Sequence, residues 1–99
     1  MNSGRSYYVY ILASKRNGTF YTGVTKDLLG RVRQHKSDLN DGFTKKYQVH
    51  RLVYFEEHEN PNDAVLKEKR IKKWNRQWKI NLIEDNNPDW KNLYEEIIS

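Results

Sequence analysis

The stretch that decides the fold is residues 7–24, which read YYVYILASKRNGTFYTGV. Residues 7–13 and 19–24 are rich in aromatic and β-branched side chains, which favour strands. Asn17-Gly18 lies between these two segments and is a strong short-range signal for a hairpin. The sequence therefore predicts two antiparallel strands joined by a tight turn.

The two faces of this hairpin follow from the length of its turn. With a loop of two or four residues, the numbers of paired residues sum to an odd value, so odd positions of one strand share a face with even positions of the other. One face is apolar enough to cover a core and carries Tyr7, Val9, Ile11, Ala13, Phe20, Thr22 and Val24. The opposite face carries Tyr8, Tyr10, Leu12, Tyr21 and Gly23. Two explanations of the tyrosine-rich face stay open, namely aromatic pairing across the strands and a gap at Gly23 that admits a ligand or another backbone.

Two helix starts are recognisable after the hairpin. Thr25 or Asp27 is placed to cap a helix that runs to about Ser37. Asn60 can cap a second helix, because Pro61 follows it in the first helical position, where proline is favoured.

The rest of the chain predicts a third strand over residues 51–57 and two last helices at about 78–84 and 88–98. Pro88 sits where the last of these helices could begin. We expect seven apolar residues of this part to pack onto the body: Trp78, Ile80, Leu82, Ile83, Trp90, Leu93 and Ile97.

Charge is unevenly distributed along the chain. Residues 1–83 hold 17 basic and 8 acidic side chains, a net charge of +9, whereas residues 84–99 hold 1 basic and 5 acidic, a net charge of −4. The excess of positive charge in residues 1–83 suggests a polyanionic partner such as nucleic acid, although many basic domains of this size bind none.

Length and composition exclude several classes of protein. A chain of 99 residues has room for one domain, with a core at about 6–83 and a helical tail at about 84–99, so a multidomain enzyme is excluded. The absence of cysteine removes a disulfide framework and a thiolate zinc site. No stretch approaches the roughly 20 apolar residues of a membrane span, and the first residues have no apolar segment of signal-peptide length. We therefore expect a cytoplasmic protein without a membrane partner.

Three further residues are candidates for chemistry. Arg31 and His35 are four apart, so they share one helical face, where such a pair is usually solvated. Glu68 falls on an apolar stripe with Ala64 and Ile71. A buried carboxylate needs a cation, so Glu68 is expected either in an internal salt bridge or on a divalent metal ion.

Basic residues surround these candidates. The loop over residues 43–47, FTKKY, combines a hydroxyl, two ammonium groups and two aromatic rings, which suit a phosphate backbone and bases but are also ordinary in a surface loop. Seven cations lie near Glu68: Lys67, Lys69, Arg70, Lys72, Lys73, Arg76 and Lys79. The candidate nucleic-acid contacts are Thr44, Lys45, Lys46, Lys69, Arg70, Lys72 and Lys73.

Taken in order, the singled-out residues resemble a known family. Tyr8-Val9-Tyr10, then Tyr21-Thr22-Gly23, then Arg31, His35 and Glu68 are similar to the GIY-YIG nuclease domain, over roughly residues 6–83. The likeness is greatest to the small stand-alone GIY-YIG proteins of bacteria, which share the 43–47 loop and a run like EKRIKKW at 68–74. Tyr8 and Thr22 depart from the glycine and isoleucine of the two motifs. The resemblance implies an α+β fold, a small three-stranded antiparallel sheet flanked by helices.

The resemblance also implies an activity, the cutting of a DNA phosphodiester with one Mg²⁺ or Mn²⁺. Tyr21 would be the general base, Tyr10 would position the attacking water or a phosphate oxygen, and Arg31 would stabilise the charge on the phosphorane. His35 would hydrogen-bond or relay protons near the nucleophile. Glu68 would hold the metal ion.

The expected partner is DNA, with branched or damaged DNA as the candidate substrate and RNA as an open alternative. A protein partner that supplies specificity is compatible with the sequence, and we expect a monomer or a weak dimer. Two other functions stay open: a nucleic-acid-binding module of the same fold with little turnover, and a domain whose basic face serves a protein.

Overall fold

A computed structural model describes residues 6–36 and 48–98 of the chain. These residues form three strands and four helices: β1 (Tyr7–Ala13), β2 (Phe20–Thr25), α1 (Leu28–Lys36), β3 (Arg51–His58), α2 (Pro61–Lys73), α3 (Arg76–Asn86) and α4 (Leu93–Ile98). The strands make one antiparallel sheet in the order β2-β1-β3. Strand β1 is therefore central, and β2 forms one edge of the sheet, called here the β2 edge.

The hairpin has the register that counting along the sequence predicts. Tyr10 pairs with Gly23 and Ile11 pairs with Thr22, so the paired numbers sum to an odd value. Asn17 in the turn has a φ of 58°, a left-handed conformation that asparagine adopts more readily than most residues. The predicted separation of the hairpin into an apolar face and a tyrosine-rich face is confirmed.

Strand β3 carries one extra residue. Ile11 pairs with Tyr54 but the next residue, Leu12, pairs with Leu52, so Val53 is left over as a bulge. Because of this bulge, both Val53 and Tyr54 belong to the core on the apolar face.

A hydrophobic cluster covers each face of the sheet. On the apolar face the helix α2 contributes Ala64 and Ile71, which pack with Val9 and Ile11 of β1. On the tyrosine-rich face the packing comes from α1 and α4: the cluster consists of Tyr10, Leu12, Leu28, Val32, Val49, Leu52 and Tyr94. The sheet is thus flanked by helices on both sides, as predicted.

The predicted helix starts are confirmed for α1 and α2. The Asp27 carboxylate accepts a hydrogen bond from the Gly30 N–H, so Asp27 rather than Thr25 caps α1. The Asn60 side chain accepts hydrogen bonds from the N–H groups of Asn62 and Asp63, with Pro61 in the first turn.

The C-terminal part differs from the prediction. The last helix begins at Leu93, not at Pro88. Between them, Asn87 donates hydrogen bonds to the carbonyls of Val53 and Lys91, and Trp90 has a φ of 54°. A helix cannot continue through this conformation, because it lies outside the right-handed α region.

Two of the seven residues expected to pack there do not. Trp78 is 57% exposed and Ile97 is 38% exposed. Trp78 contacts the ring of Trp74 edge-on but otherwise remains on the surface. Ile83 and Trp90 are buried as expected.

Candidate active site

Two phenols and one imidazole converge on the tyrosine-rich face. The ring centroids are 6.3 Å apart for Tyr10 and Tyr21, 6.2 Å for Tyr10 and His35, and 5.1 Å for Tyr21 and His35. The Tyr10 hydroxyl lies 3.4 Å from His35 Nε2. We call these three residues the phenol–imidazole cluster. The hairpin supplies both phenols because Tyr10 and Tyr21 share a face, and α1 supplies the imidazole.

Gly23 makes room for this cluster. A Cβ atom at Gly23 would lie 2.5 Å from the Tyr10 hydroxyl oxygen and 2.6 Å from Cζ. The Tyr10 ring therefore fills the space over Gly23. The gap that the sequence suggested for a ligand is taken up by a side chain of the protein itself.

Burial separates the members of the cluster. Tyr10 is 0% exposed and His35 is 1% exposed, whereas Tyr21 is only partly buried. The expectation that His35 is solvated is therefore wrong, because α1 turns this residue toward the sheet. Tyr21 is the member of the cluster that solvent reaches.

Arg31 lies elsewhere, at the β2 edge. It lines a cavity of about 490 Å³ between Val24 at the end of β2 and Val65 in the first turns of α2. Among the residues that the structure describes, no salt bridge or side-chain hydrogen bond engages the Arg31 guanidinium. Its fork of N–H donors is therefore available to an anionic group in this cavity.

Glu68 belongs to the buried stripe of α2, with Ala64 and Ile71, and is 8% exposed. Its carboxylate pairs with the ammonium group of Lys72, one turn further along the helix. This is the internal salt bridge that the sequence left open as one of two explanations. Glu68 shares the stripe of α2 that packs on the apolar face, and within the described residues no hydrogen bond or ion pair joins it to the phenol–imidazole cluster.

Strand β2 adjoins each of these separated groups, because Tyr21 belongs to it, Val24 lines the Arg31 cavity and α2 packs against it. Val65, which lines the Arg31 cavity, is three residues before Glu68, and residues three apart are neighbours on a helix surface. Glu68 therefore follows the cavity along the same flank of α2. On the other side of β2, Tyr21 extends from the same strand.

The donor set at Glu68 bears on whether a divalent ion can bind there. No group of three or more His, Asp or Glu side chains suited to a metal occurs within residues 6–36 and 48–98. Lys72 contacts Oε2 of Glu68. Within the described residues, every buried side-chain oxygen has a hydrogen-bond partner. The Glu68 side chain is 11% exposed, so part of it reaches solvent. One carboxylate with water and phosphate oxygens is a common arrangement for Mg²⁺, so the residue fits this ion.

The predicted nucleic-acid contacts are spread over α2 and a segment outside the described residues. Lys69, Arg70 and Lys73 are exposed and point away from the buried stripe of α2, whereas Lys72 lies beside Glu68. The other three predicted contacts, Thr44, Lys45 and Lys46, lie outside the described residues.

A further cluster of titratable groups escaped the sequence analysis. Glu56 on β3 accepts hydrogen bonds from the Tyr54 hydroxyl and from Lys67 Nζ of α2, and it pairs with His58. Burial alone would raise the pKa of Glu56, but the hydrogen bonds and the Lys67 charge outweigh burial and lower this pKa below its usual value. The sequence feature that indicates this cluster is the spacing of two residues, which places positions 54, 56 and 58 on one face of a strand.

Comparisons with known proteins identify the family of this chain. The family model described as the GIY-YIG catalytic domain matches residues 6–81, and the chain belongs to this family. UPF0213 proteins from Staphylococcus aureus strains Mu3 and COL are each 36% identical to this chain over 80 residues, which is 81% of this chain and 96% of theirs. The solution NMR structure of the UPF0213 protein BH0048 from Bacillus halodurans is similar with a TM-score of 0.56 and 29% identity, over 88% of this chain and 92% of that one.

Within the described residues, no helix combines the length and the apolar character that crossing a bilayer requires.

Proposed function

We propose that this protein is an endonuclease that hydrolyses DNA phosphodiester bonds at the β2 edge, with one Mg²⁺ or Mn²⁺ on Glu68. The observation that carries the proposal is the convergence of Tyr10, Tyr21 and His35, with the Tyr10 ring over Gly23, in a chain of the GIY-YIG catalytic domain family. Branched or damaged DNA is the proposed substrate, because a domain of this size has little surface with which to read a long sequence.

Tyr21 is the proposed general base. It is the member of the cluster that solvent reaches, so it can meet a water molecule, whereas Tyr10 and His35 are sealed by packing. A tyrosine has an ordinary pKa of about 10, so accepting a proton near neutral pH requires a cationic setting. Tyr10 and His35 would act through Tyr21 as positioning residues.

Arg31 is the proposed stabiliser of negative charge on the reacting phosphate. A phosphodiester resists attack because its oxygens repel nucleophiles, and a guanidinium placed where charge develops lowers that barrier. The absence of a carboxylate partner within the described residues leaves Arg31 able to form paired hydrogen bonds with phosphate oxygens.

Glu68 is the proposed holder of the metal ion. When bound, the ion would withdraw charge from the phosphate and from the leaving oxygen. To bind it, Glu68 would give up the ammonium group of Lys72, which is more than half exposed and can then turn to a phosphate oxygen.

The DNA backbone on either side of the cut is proposed to contact the exposed cations of α2 and the loop over residues 43–47. Lys69, Arg70 and Lys73 face solvent, so they suit phosphates that flank the reacting one. Thr44, Lys45 and Lys46 are proposed to contribute in the same way.

The test is cleavage of supercoiled plasmid and of branched DNA in Mg²⁺ or Mn²⁺. Tyr21→Phe removes the proposed base and is expected to slow cleavage by about 10²- to 10⁴-fold. The matched control is Tyr8→Phe, because Tyr8 lies on the same face but packs against Phe55 outside the cluster. This control is expected to cut at the wild-type rate.

Glu68→Gln extends the test to the metal ion. It is expected to remove Mg²⁺-dependent cleavage, since the amide is a weaker ligand than the carboxylate. Glu59→Gln removes an equal charge at an exposed site just before α2 and is the control. Cleavage that survives both Tyr21→Phe and Glu68→Gln would come from a contaminant and would refute the proposal.

A second candidate function is supported by the state of Glu68. A single carboxylate held by Lys72 on the face away from the phenols also suits a nucleic-acid-binding module with little turnover. Salt-dependent DNA binding together with no cleavage by the purified wild-type protein would favour this second function.

A further inference from the structure

A second cavity lies at the turn end of the hairpin, and no member of the phenol–imidazole cluster lines it. Its volume is about 620 Å³, and we call it the hairpin cavity. Six of the residues that line it are Ser14, Lys15, Gly18, Thr19, Arg76 and Lys79. Three of these six are cations, and none of the residues that line the cavity is acidic.

Neutral groups hold the Arg76 side chain at this cavity. The guanidinium donates hydrogen bonds to the carbonyls of Asn17 and Gly18 and lies 4.2 Å above the ring of Phe20. These contacts orient the guanidinium but leave its charge uncompensated. The arrangement resembles a fixed anion receptor more than a flexible surface side chain.

The other cations of the cavity are also without acidic partners. Lys79 Nζ donates to the carbonyl of Lys72 at 3.5 Å. Within residues 6–36 and 48–98, no salt bridge involves Lys15, Arg76 or Lys79. Burial, followed by repulsion from Arg76, lowers the pKa of Lys79 below its ordinary value. Like charges held together in this way are relieved when an anion binds between them.

One neutral donor, the Ser14 hydroxyl, completes the site. Ser14 Oγ accepts a hydrogen bond from the Thr19 N–H, so its own O–H hydrogen is available to another acceptor. A tetrahedral anion with several acceptor oxygens matches a guanidinium, ammonium groups and a hydroxyl better than a halide does.

We propose that the hairpin cavity binds a phosphate group, at a site separate from the one that cuts. Two sources of this group are a phosphate in a nucleic-acid backbone and a free phosphate ester. The backbone is favoured by the path of β2, and this preference rests on the proposed function. Thr19 and Tyr21 are two residues apart, about 7 Å along a strand, so one nucleic-acid strand can reach both sites.

The first arm of the test uses inorganic phosphate alone. Phosphate is titrated into the ¹⁵N-labelled protein at constant ionic strength, with chloride as the balancing anion. Saturable shifts of the Gly18 and Thr19 amide signals are expected, and Lys79→Gln should weaken phosphate binding by at least about tenfold. Lys91→Gln, an equal charge change at an exposed residue outside the cavity, is the control. Lys15→Gln is the second variant in case Lys79→Gln does not fold.

The second arm identifies the source of the phosphate. DNA affinity is measured against salt concentration for the wild type and the same variants. If a backbone phosphate fills the cavity, Lys79→Gln reduces the slope of log K against log salt by about 0.9, and Lys91→Gln does not. Phosphate binding with an unchanged slope would identify a free phosphate ester as the occupant.

The proposal is overturned if phosphate shifts no hairpin signals, or if Lys79→Gln and Lys91→Gln bind phosphate alike. This result is independent of the proposed function, since neither arm requires cleavage. A protein that binds phosphate here but cuts no DNA would refute the nuclease and keep the site.

Discussion

Replacing Gly23 by alanine is expected to destabilise the protein, because the new methyl group would collide with the ring of Tyr10. The Cβ would lie 2.5 Å from the hydroxyl oxygen, 2.6 Å from Cζ and 3.0 Å from Cε1 of Tyr10. Gly23 has no positive φ, so the backbone itself would accept alanine. The whole effect therefore arises from the collision with the ring.

The magnitude follows from the room available to Tyr10. Ordinary contact begins at about 3.4 Å, so the ring must move by about 1 Å, and Tyr10 is completely buried. Overpacking of this kind costs about 1–3 kcal/mol. For a domain of about 100 residues, this corresponds to a fall in Tm of about 4–8 °C for each kcal/mol.

The assay is equilibrium unfolding in urea within a double-mutant cycle. Gly23→Ala is measured in the wild type and in a Tyr10→Leu background, in which the colliding atoms are absent. We expect the cost of Gly23→Ala to fall below about 0.5 kcal/mol in that background, where only the ordinary effect of a buried methyl group remains. Gly23→Ala is also expected to disturb the contact between the Tyr10 hydroxyl and His35 Nε2.

Two results would refute this reasoning. One is a Gly23→Ala protein as stable as the wild type, which would mean that the Tyr10 ring does not lie over Gly23. The other is an equal loss of stability in both backgrounds, which would show that the cost comes from the backbone of β2 and not from Tyr10.

Three further predictions concern stability. The pKa of Glu56 is lowered in the folded state, so its stabilising effect is complete above the unfolded pKa of about 4.3 and is lost as the pH falls through the folded pKa. The free energy of unfolding of Glu56→Gln should therefore fall less steeply with decreasing pH than that of the wild type. An equal fall in both proteins would contradict this prediction. Asn60→Ala should cost about 1 kcal/mol in urea unfolding, because the cap of α2 is removed, and no change would mean that water replaces it. Trp90→Ala should cost about 3–5 kcal/mol and exposed Trp78→Ala less than about 0.5 kcal/mol; the reverse order would contradict the burial of these residues.

Much of the fold was predictable because interactions between residues close in sequence determine the hairpin and the helix starts. Counting across a short turn determines which residues share a face, so the placement of Tyr10 with Tyr21 needed no tertiary information. Asn60 and Pro61 likewise act through the backbone beside them. Pro88 failed as a helix start, because Asn87 is held by the carbonyl of Val53, a contact between residues distant in sequence.

The candidate site was predictable only in part. The hairpin register that places the two phenols on one face leaves the other face apolar, and this apolar face is covered by α2. Glu68 lies in the buried stripe of α2. The resemblance brings Glu68 and the phenols into one site, whereas these two patterns indicate that they lie on opposite faces of the sheet. The filling of the space over Gly23 could not be predicted, because it depends on the rotamer of Tyr10.

The central claim is that a metal ion on Glu68 and the phenol of Tyr21 serve one reaction at the β2 edge. The most direct measurement is the broadening of amide NMR signals by Mn²⁺ in the presence of uncleavable DNA. We predict that the signals of both Glu68 and Tyr21 broaden, and that Glu68→Gln removes both effects. Broadening confined to α2, with the Tyr21 signal unchanged, would contradict the claim.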